Sequence, residues 1–393
     1  MRNILIFKNK GCYGCGVCVV VCPKKIIGLK LNKDGFYEPY IDNLDACVNC
    51  GICLDVCSFN HDEVIEQKDV NIGYAVFSNN SETRLHSTSG GFAYEITKTF
   101  IEKGYDACVV KYNYSQNRAE HFIADSLETL QLSQGSKYIQ SYTIDGFSPI
   151  LKDRKRKHIV IGTPCQIDSL RRLIRLKNIE NNFLLIDFYC HGVPSYLMWN
   201  KYLDFARKKV GNINKIIWRS KVKGWQNSTT MNICGEKDEF FSSFIKGDYF
   251  FKFFLGNRCL GKACYDACKF KRKCASDIRM GDFWGQKFVH CQDGVSAVKI
   301  NSVRGAEAFK NLEKSVYFNK VQTELIEQGQ IKEAVSRPLS YNIVSLLLKR
   351  KLSIKIISKI AFFIEFPIFF KKNTEYYIIR LLSKLKELCK LKR

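Results

Sequence analysis

Between residues 73 and 205 the chain alternates short apolar runs with segments whose apolar residues recur at helical spacing. The short runs cover residues 73–78, 105–112, 158–162 and 183–189, and they predict strands. After Gly91, the residues Phe92, Ile96 and Phe100 lie on one helical face and predict a helix that Gly104 ends. Strands that alternate with helices in this way are typical of an α/β domain.

Composition divides the rest of the chain. Residues 61–72 are polar and predict a linker, while residues 341–393 mix Leu, Ile and Phe with lysine. We therefore predict a domain at 1–60, a linker at 61–72, an α/β region in two parts at 73–150 and 151–340, and a basic amphipathic helical tail at 341–393.

Eight cysteines in the first domain repeat one spacing twice. Three cysteines two residues apart, with a fourth after three more, form the run that holds two 4Fe–4S clusters in bacterial ferredoxins. Three thiolates surround one cluster and the fourth ligates the other. The assignment is Cys12, Cys15, Cys18 and Cys57 for one cluster, and Cys47, Cys50, Cys53 and Cys22 for the other. Ser58 stands where proline often follows the fourth cysteine, which alters a turn preference and removes no ligand.

This spacing favours iron–sulfur clusters over the alternatives of zinc and redox-regulatory thiols, because zinc sites typically use two pairs of ligands. The predicted fold class is therefore a multidomain α+β and α/β protein. A bacterial-ferredoxin-like domain comes first, followed by an α/β domain. The absence of a signal peptide and the eighteen cysteines predict a cytoplasmic protein.

The formal net charge of +24 is unevenly distributed. Residues 1–60 carry 7 basic and 5 acidic side chains, whereas residues 342–393 carry 13 basic and 3 acidic ones. An excess of basic residues favours binding to nucleic acid, an anionic membrane, an acidic electron carrier or an anionic substrate. The alternative is that it only reflects a lysine-rich composition. The chain has no nucleic-acid-binding motif, so we predict no nucleic-acid partner.

The most apolar part of the tail, residues 360–370, is interrupted by Glu365 and Pro367. As a helix it would be about 16 Å long, against roughly 30 Å of hydrocarbon in a bilayer. It is therefore too short to span. Two interpretations stay open: a peripheral helix at the inner face of an anionic membrane, and a helical pair that covers the core or a partner.

A second group of cysteines follows the predicted strands. Cys165 and Cys190 come just after the runs 158–162 and 183–189, and sites in α/β folds lie at the carboxyl ends of strands. Two further ligands could come from Cys264 and Cys268. We therefore predict a third iron–sulfur site from these four residues. Cys259 and Cys274 are the substitutes, while Cys108, Cys234, Cys291 and Cys389 are interpreted as small hydrophobic residues.

Several short motifs occur in a fixed order together with the paired cysteine runs. In this combination the sequence resembles the coenzyme F420 hydrogenase/dehydrogenase beta-subunit family over residues 1–330. The motifs are Ser89-Gly90-Gly91, Gly135-Ser136-Lys137-Tyr138, Gly162-Thr163-Pro164-Cys165-Gln166, Cys190-His191-Gly192-Val193-Pro194-Ser195 and Gly281-Asp282-Phe283-Trp284-Gly285.

The resemblance implies an iron–sulfur flavoprotein oxidoreductase. It implies that residues 73–150 are the N-terminal part of a flavin-binding domain and residues 151–340 its C-terminal flavin and iron–sulfur part. Such proteins pass electrons between 4Fe–4S clusters and FAD, which exchanges a hydride with a small partner such as coenzyme F420 or another acceptor. The implied macromolecular partner is a redox carrier protein or a hydrogenase/dehydrogenase-type protein. Two alternatives stay open: a non-catalytic electron-transfer subunit, and a flavin-less iron–sulfur scaffold linked to polysaccharide synthesis.

The resemblance also implies roles for individual residues. Ser89, Gly90 and Gly91 match a turn near the flavin, where helix N–H groups suit a pyrophosphate; the alternative is an ordinary helix cap. Lys137 matches a contact to flavin or phosphate, or is a solvated lysine. His191 is the candidate proton donor, or it orients the cysteine loop. The chain departs from the family where a C-x2-C pair is expected and Cys264-x3-Cys268 is found.

Overall fold

The structure is a computed structural model that describes residues 2–7, 11–265 and 268–367. Its strands are β1 (Ile27–Leu31), β2 (Tyr37–Ile41), β3 (Ile72–Ser78), β4 (Asp106–Asn113), β5 (Arg118–Ala124), β6 (Ser141–Tyr142), β7 (His158–Gly162), β8 (Phe183–Phe188), β9 (Ile213–Ile217), β10 (Thr230–Gly235), β11 (Glu239–Ser243), β12 (Ile278–Asp282), β13 (Ser296–Ile300) and β14 (Val316–Val321).

The helices lie between and around these strands. They are α1 (Val17–Val21), α2 (Ile52–Asp55), α3 (Ser81–His86), α4 (Phe92–Glu102), α5 (Leu127–Gln131), α6 (Ile144–Phe147), α7 (Pro164–Leu176), α8 (Tyr196–Val210), α9 (Tyr249–Phe254), α10 (Val303–Lys310), α11 (Thr323–Ile326) and α12 (Tyr341–Leu348). Residues 354–367 are also helical and are named the terminal helix.

A mixed nine-stranded sheet organises the chain, in the order β14-β3-β13-β12-β8-β7-β4-β5-β6. Strands β12, β8, β7 and β4 are mutually parallel, and β13 runs antiparallel to both β12 and β3. The carboxyl ends of β3, β12, β8 and β7 therefore share one edge of the sheet. The four predicted strands are confirmed: β7 has the predicted bounds, β3 and β8 differ by one residue at one end, and β4 differs by one residue at both ends.

Strands from both sides of residue 150 belong to this sheet. β4 pairs with β7 in the register Asp106↔His158, and β3 pairs with β13 and β14. The two predicted parts of the α/β region thus share one hydrogen-bonded sheet. A smaller antiparallel sheet, β11-β10-β9, packs against α8.

The N-terminal segment shares its core with α7. Val17 and Val21 of α1 are buried in one apolar cluster with Ile167 and Leu170 of α7. The predicted linker is also held in place, because the Ile65 N–H donates to Asp168 Oδ1 at 2.8 Å. Whether residues 1–60 have a ferredoxin-like fold stays a prediction.

The described part of the tail packs on the main body. Ile354, Ile357 and Ala361 of the terminal helix are buried in the apolar cluster that contains α12. Arg258 Nη2 pairs with Glu365 Oε2 at 2.5 Å. One face of the terminal helix therefore covers the core, as the helical-pair interpretation expects, and membrane contact through its exposed residues stays a prediction. The remainder of the predicted tail, with Cys389, lies outside the described residues. Every helix in the described ranges is too short or too polar to cross a lipid bilayer.

Candidate functional site

One group of cysteines lines a pocket at the surface of the N-terminal segment. Its members are Cys22, Cys47, Cys50 and Cys53, and the lining also includes Arg2, Asn3 and Lys24. Cys50 is exposed, and Asn3 Nδ2 lies 3.4 Å from Cys47 Sγ. We name these four cysteines the surface cysteine pocket. They include one cysteine from the first run and three from the second, the grouping of the crossed assignment, and their role as cluster ligands stays a prediction.

The other four cysteines of the repeat lie deeper. Cys15, Cys18 and Cys57 are buried, and Cys12 is partly buried. Burial, and then the charges of Cys15, Cys12 and Cys57, raise the pKa of Cys18 well above its ordinary value. Burial, and then the charge of Cys15, raise the pKa of Cys57 to about 12. Cys57 therefore lies beside the first run. We name these four residues the buried cysteine group.

Glycines shape both runs. Gly16 and Gly51 have φ angles of 73° and 80° and cap α1 and α2, the helix that begins inside each run. A side chain at either position would be strained, because positive φ is readily adopted only by glycine. The two runs therefore repeat one local backbone shape as well as one cysteine spacing.

A third group of cysteines meets at the carboxyl edge of the large sheet. Cys165, Cys190, Cys264 and Cys268 line one pocket, together with Tyr13, Gln140 and Lys271. Cys165 lies in the first turn of α7, directly after β7, and Cys190 follows β8. Because β7 and β8 are parallel neighbours, both cysteines come to the same edge. We name this set of four the strand-end cysteine pocket.

The two cysteines considered as substitutes lie outside that lining. Cys259 is buried in the apolar cluster beside Leu260. Cys274 is buried and accepts a hydrogen bond from Asn301 Nδ2 at 3.3 Å. The fold thus brings together the four predicted cysteines and leaves both substitutes in packing environments.

A buried cation lies against the strand-end cysteine pocket. Lys271 is 7% exposed, and its ammonium donates to the carbonyls of Cys190 at 2.7 Å and His191 at 3.0 Å. Burial raises the pKa of Cys165 well above its ordinary value and that of Cys264 to about 12. Four cysteines with a lysine ammonium beside them suit a metal group that binds thiolates and carries net negative charge. Four thiolates are the donor set that a 4Fe–4S cluster takes. In the described residues, no three Cys, His, Asp or Glu side chains are arranged to hold a single metal ion.

His191 packs against Phe254. Its Nε2 lies 3.1 Å from the Phe254 carbonyl oxygen, and the two ring centroids are 4.7 Å apart. Burial, and then the charge of Lys271, lower the pKa of His191. These contacts hold the loop that follows Cys190, while a role for His191 in proton transfer stays a prediction.

The turn Ser89–Gly91 precedes α4 at the same edge of the sheet. A Cβ on Gly90 would lie 2.3 Å from the Val76 carbonyl oxygen, and Gly91 has a φ of 93°. The Gly90 N–H donates to Ser296 Oγ at 3.0 Å. Glycine is therefore required here by close backbone packing on β3 and β13, and a flavin contact stays a prediction.

The loop that contains Lys137 touches this turn. The Ser136 N–H donates to Thr88 Oγ1 at 2.8 Å. The Lys137 ammonium donates to the carbonyls of Ser133 at 2.8 Å and Gln134 at 3.0 Å, just after α5. Burial lowers the pKa of Lys137 to about 7. These contacts show Lys137 capping the end of α5. A contact of Lys137 with flavin or phosphate stays a prediction.

Two cations that the sequence reasoning missed join the turn to the Asp282 motif. Lys221 Nζ donates to the carbonyl of Ser89 at 2.7 Å. Arg219 Nη1 donates to Tyr138 Oη at 3.1 Å and to Asp282 Oδ2 at 2.9 Å. These residues meet in one place, and we call that place the turn site. The available signal was their position between Trp218 and Trp225, two of the four tryptophans in the chain.

The comparisons with known proteins identify the two parts of the chain. Residues 11–61 match the 4Fe-4S dicluster domain, and residues 155–325 match the family described as the C terminus of the coenzyme F420 hydrogenase/dehydrogenase beta subunit. The resemblance inferred from the motifs is therefore confirmed. A dicluster domain joined to this beta-subunit domain is typical of electron-transferring oxidoreductases.

A solved structure is also similar. It is described as a xenon derivatization of the F420-reducing [NiFe] hydrogenase complex from Methanosarcina barkeri, and it is 16% identical to this chain. The alignment covers 76% of this chain and 92% of that chain, with a TM-score of 0.46. The comparison with curated proteins finds no match.

Proposed function

We propose that the protein is an iron–sulfur flavoprotein oxidoreductase with three 4Fe–4S clusters and one FAD. The observation that carries this proposal is the placement of three groups of four cysteines in series, from an exposed one to one at the carboxyl edge of the sheet. When bound, the clusters would supply one-electron transfer and the flavin would supply hydride transfer.

The surface cysteine pocket is the proposed entry point for electrons. Cys50 is exposed, and Val48 beside it is 58% exposed, so a docked redox protein can approach this site closely. The buried cysteine group is the next site on the proposed electron path. Cys53 of the surface cysteine pocket is close enough to Cys18 for its charge to raise the pKa of Cys18. The proposed partner at this surface is a redox carrier protein or a hydrogenase/dehydrogenase-type protein.

Tyr13 lies between the buried cysteine group and the strand-end cysteine pocket. It stands in the loop between Cys12 and Cys15, and it also lines the strand-end pocket. Its ring packs edge-on against Phe59 and Phe270 at centroid distances of 5.3 and 5.4 Å. Burial, and then the charges of Cys165, Cys268 and Cys264, raise its pKa. Tyr13 therefore fills the space between two proposed clusters and excludes water from it.

The turn site is the proposed place for the flavin. It combines the N-terminus of α4, the cations Arg219 and Lys221, and the stacked pair Trp225 and Trp284. Helix N–H groups and cations suit a pyrophosphate, and aromatic faces suit a flat ring. Asp282 ends β12, the parallel neighbour of the strand that leads to Cys190, so this site adjoins the strand-end cysteine pocket.

The proposed small partner is a hydride acceptor or donor, with coenzyme F420 as the first compound to try. We also propose a cytoplasmic location, supported by the free thiol state of every cysteine in the described ranges. Peripheral contact with an anionic membrane stays part of the proposal for the tail. Its support is the 72% exposure of Phe363 on the terminal helix, which also carries Lys355 and Lys359.

Iron, acid-labile sulfide and flavin per chain test this proposal on protein purified without oxygen. About twelve irons with one FAD are expected from three 4Fe–4S clusters and one flavin. About eight irons with no flavin would contradict it and leave a two-cluster electron carrier. Clusters and flavin without hydride exchange to any small acceptor would instead support a non-catalytic electron-transfer subunit.

A further inference from the structure

Ser58, Asp168 and Ser169 form a hydrogen-bonded group between the dicluster domain and α7. Each of the three residues is 0% exposed. The Ser58 hydroxyl donates to Asp168 Oδ2 at 2.6 Å, and the Ser58 N–H donates to Ser169 Oγ at 3.1 Å. We name these three residues the junction. Ser58 directly follows Cys57, and the two α7 residues lie one turn after Cys165.

The junction reaches a cysteine of the buried cysteine group. Ser169 Oγ lies 3.3 Å from Cys15 Sγ. While Cys15 is a thiol, its S–H donates to this oxygen. A cysteine that ligates iron has lost its proton. The same contact then requires Ser169 to donate, because a thiolate only accepts.

In the structure the Ser169 hydroxyl donates to Ser58 Oγ, and the other contacts of the junction allow this hydrogen to be redirected. The Asp168 carboxylate accepts a hydrogen bond from the Ser58 hydroxyl. It also accepts hydrogen bonds from the Ile65 N–H at 2.8 Å and from Arg172 Nε at 3.1 Å, which hold it in place. The Ser58 N–H supplies Ser169 Oγ with a donor. The Ser169 hydroxyl can therefore turn from Ser58 Oγ, 2.7 Å away, toward Cys15 Sγ. A proline at position 58 would lack both the N–H and the hydroxyl.

We propose that Ser169 is a tuning residue that raises the reduction potential of the cluster in the buried cysteine group. An O–H···S bond to a ligand sulfur stabilises the more negative, reduced state of a cluster. The donor lies on α7, so the beta-subunit half of the chain sets the potential of a cluster in the dicluster domain. The inference rests on the proposed cluster assignment.

The surface cysteine pocket provides a matched comparison. Asn3, which is 1% exposed, places its Nδ2 3.4 Å from Cys47 Sγ. This donor lies in the N-terminal segment, ahead of residues 11–61, which match the dicluster domain, and it is not part of α7. Asn3→Ala should therefore shift the potential of the other cluster and leave the one beside Ser169 unchanged.

The test is an EPR-monitored redox titration of the full chain, prepared without oxygen, with iron content measured alongside. Ser169→Ala should leave the iron content unchanged and lower the ratio of reduced to oxidised cluster about three- to tenfold at a fixed potential, for one cluster signal. A tenfold change corresponds to about 59 mV for one electron. Ser169→Thr, which keeps the hydroxyl, should titrate like the parent.

An unshifted Ser169→Ala with full iron would overturn the inference. If Ser169→Ala loses iron, the pair Ser58→Pro and Ser58→Ala decides. Both variants remove the hydroxyl, and only the proline also removes the N–H that donates to Ser169 Oγ. The cluster in Ser58→Pro should therefore have a lower midpoint potential than the cluster in Ser58→Ala. Equal midpoints for that pair would overturn the inference. A parent protein without any reduced-cluster signal would instead overturn the proposed function.

Discussion

The surface cysteine pocket and the strand-end cysteine pocket differ in how their ligands are brought together. The first takes its cysteines from residues 22–53, through two copies of one local loop and helix. The second takes them from residues 165–268, through adjacent parallel strands and a distant loop. One site is a property of a short segment, and the other exists only after the large sheet has formed.

The difference extends to the surroundings. Cys50 is exposed in the surface cysteine pocket, whereas Lys271 beside the strand-end cysteine pocket is 7% exposed. Taking a lysine out of water costs free energy that nearby negative charge offsets. We therefore expect metal binding at the strand-end cysteine pocket to be more strongly coupled to the stability of the sheet edge.

The largest expected effect comes from Cys190→Ala. Loss of this ligand should remove about four irons per chain, the content of one 4Fe–4S cluster, and leave the EPR signals of the dicluster domain in place. Cys259→Ala is the matched control, because Cys259 is a buried cysteine outside the pocket lining. An unchanged iron count in Cys190→Ala, or iron loss in Cys259→Ala, would contradict the ligand set.

A smaller and more selective effect is expected from Cys57→Ala. The crossed assignment predicts damage to the cluster of the buried cysteine group, because Cys57 is its fourth ligand. Cys57 lies close enough to Cys15 for the charge of Cys15 to raise its pKa. Cys50→Ala should damage the cluster of the surface cysteine pocket instead. EPR spectra of the two variants should therefore lack different signals. The crossing is wrong if both variants lose the same one.

The smallest effect concerns how the dicluster domain is seated on the rest of the chain. Gly14 has a φ of 66°, and a Cβ there would lie 2.1 Å from Gln140 Nε2 and 2.4 Å from the Tyr37 carbonyl oxygen. Gly14→Ala should lower the free energy of unfolding by about 3 kcal/mol, from backbone strain and overpacking together.

Gly135→Ala provides the control for that change. Gly135 has a φ of 75° with open space where the Cβ would go, so about 1–2 kcal/mol of backbone strain is expected. Thermal unfolding of both variants, prepared without oxygen, measures the difference. Equal destabilisation would show that the contact of Gly14 with Gln140 contributes nothing to seating the domain.

Local patterns predicted a large part of this molecule. Apolar runs located β3, β4, β7 and β8 to within one residue at each end, because a strand in a sheet core requires consecutive residues that can be buried. The cysteine repeat predicted the dicluster domain, and the domain match confirms it. Spacing is informative there because a loop of a few residues determines where three thiols point.

Other features were decided by tertiary structure. The sequence left Cys259 and Cys274 as substitutes for Cys264 and Cys268, and the order of strands placed only the latter pair in the pocket lining. From the sequence, Ser58 was interpreted only as a change in turn preference. In the structure its N–H and hydroxyl join the dicluster domain to α7.

The physical reason is the range of the interaction. Spacing along a chain determines geometry where the intervening backbone is short and regular. The contact between Ser58 and α7, and the placement of Cys165 and Cys268 around one pocket, depend on which strands lie side by side and on which faces are buried. The sequence by itself therefore determined the match to a dicluster domain and predicted its eight cysteine ligands as a set. The assembled sheet decided which distant cysteines and hydroxyls come near them.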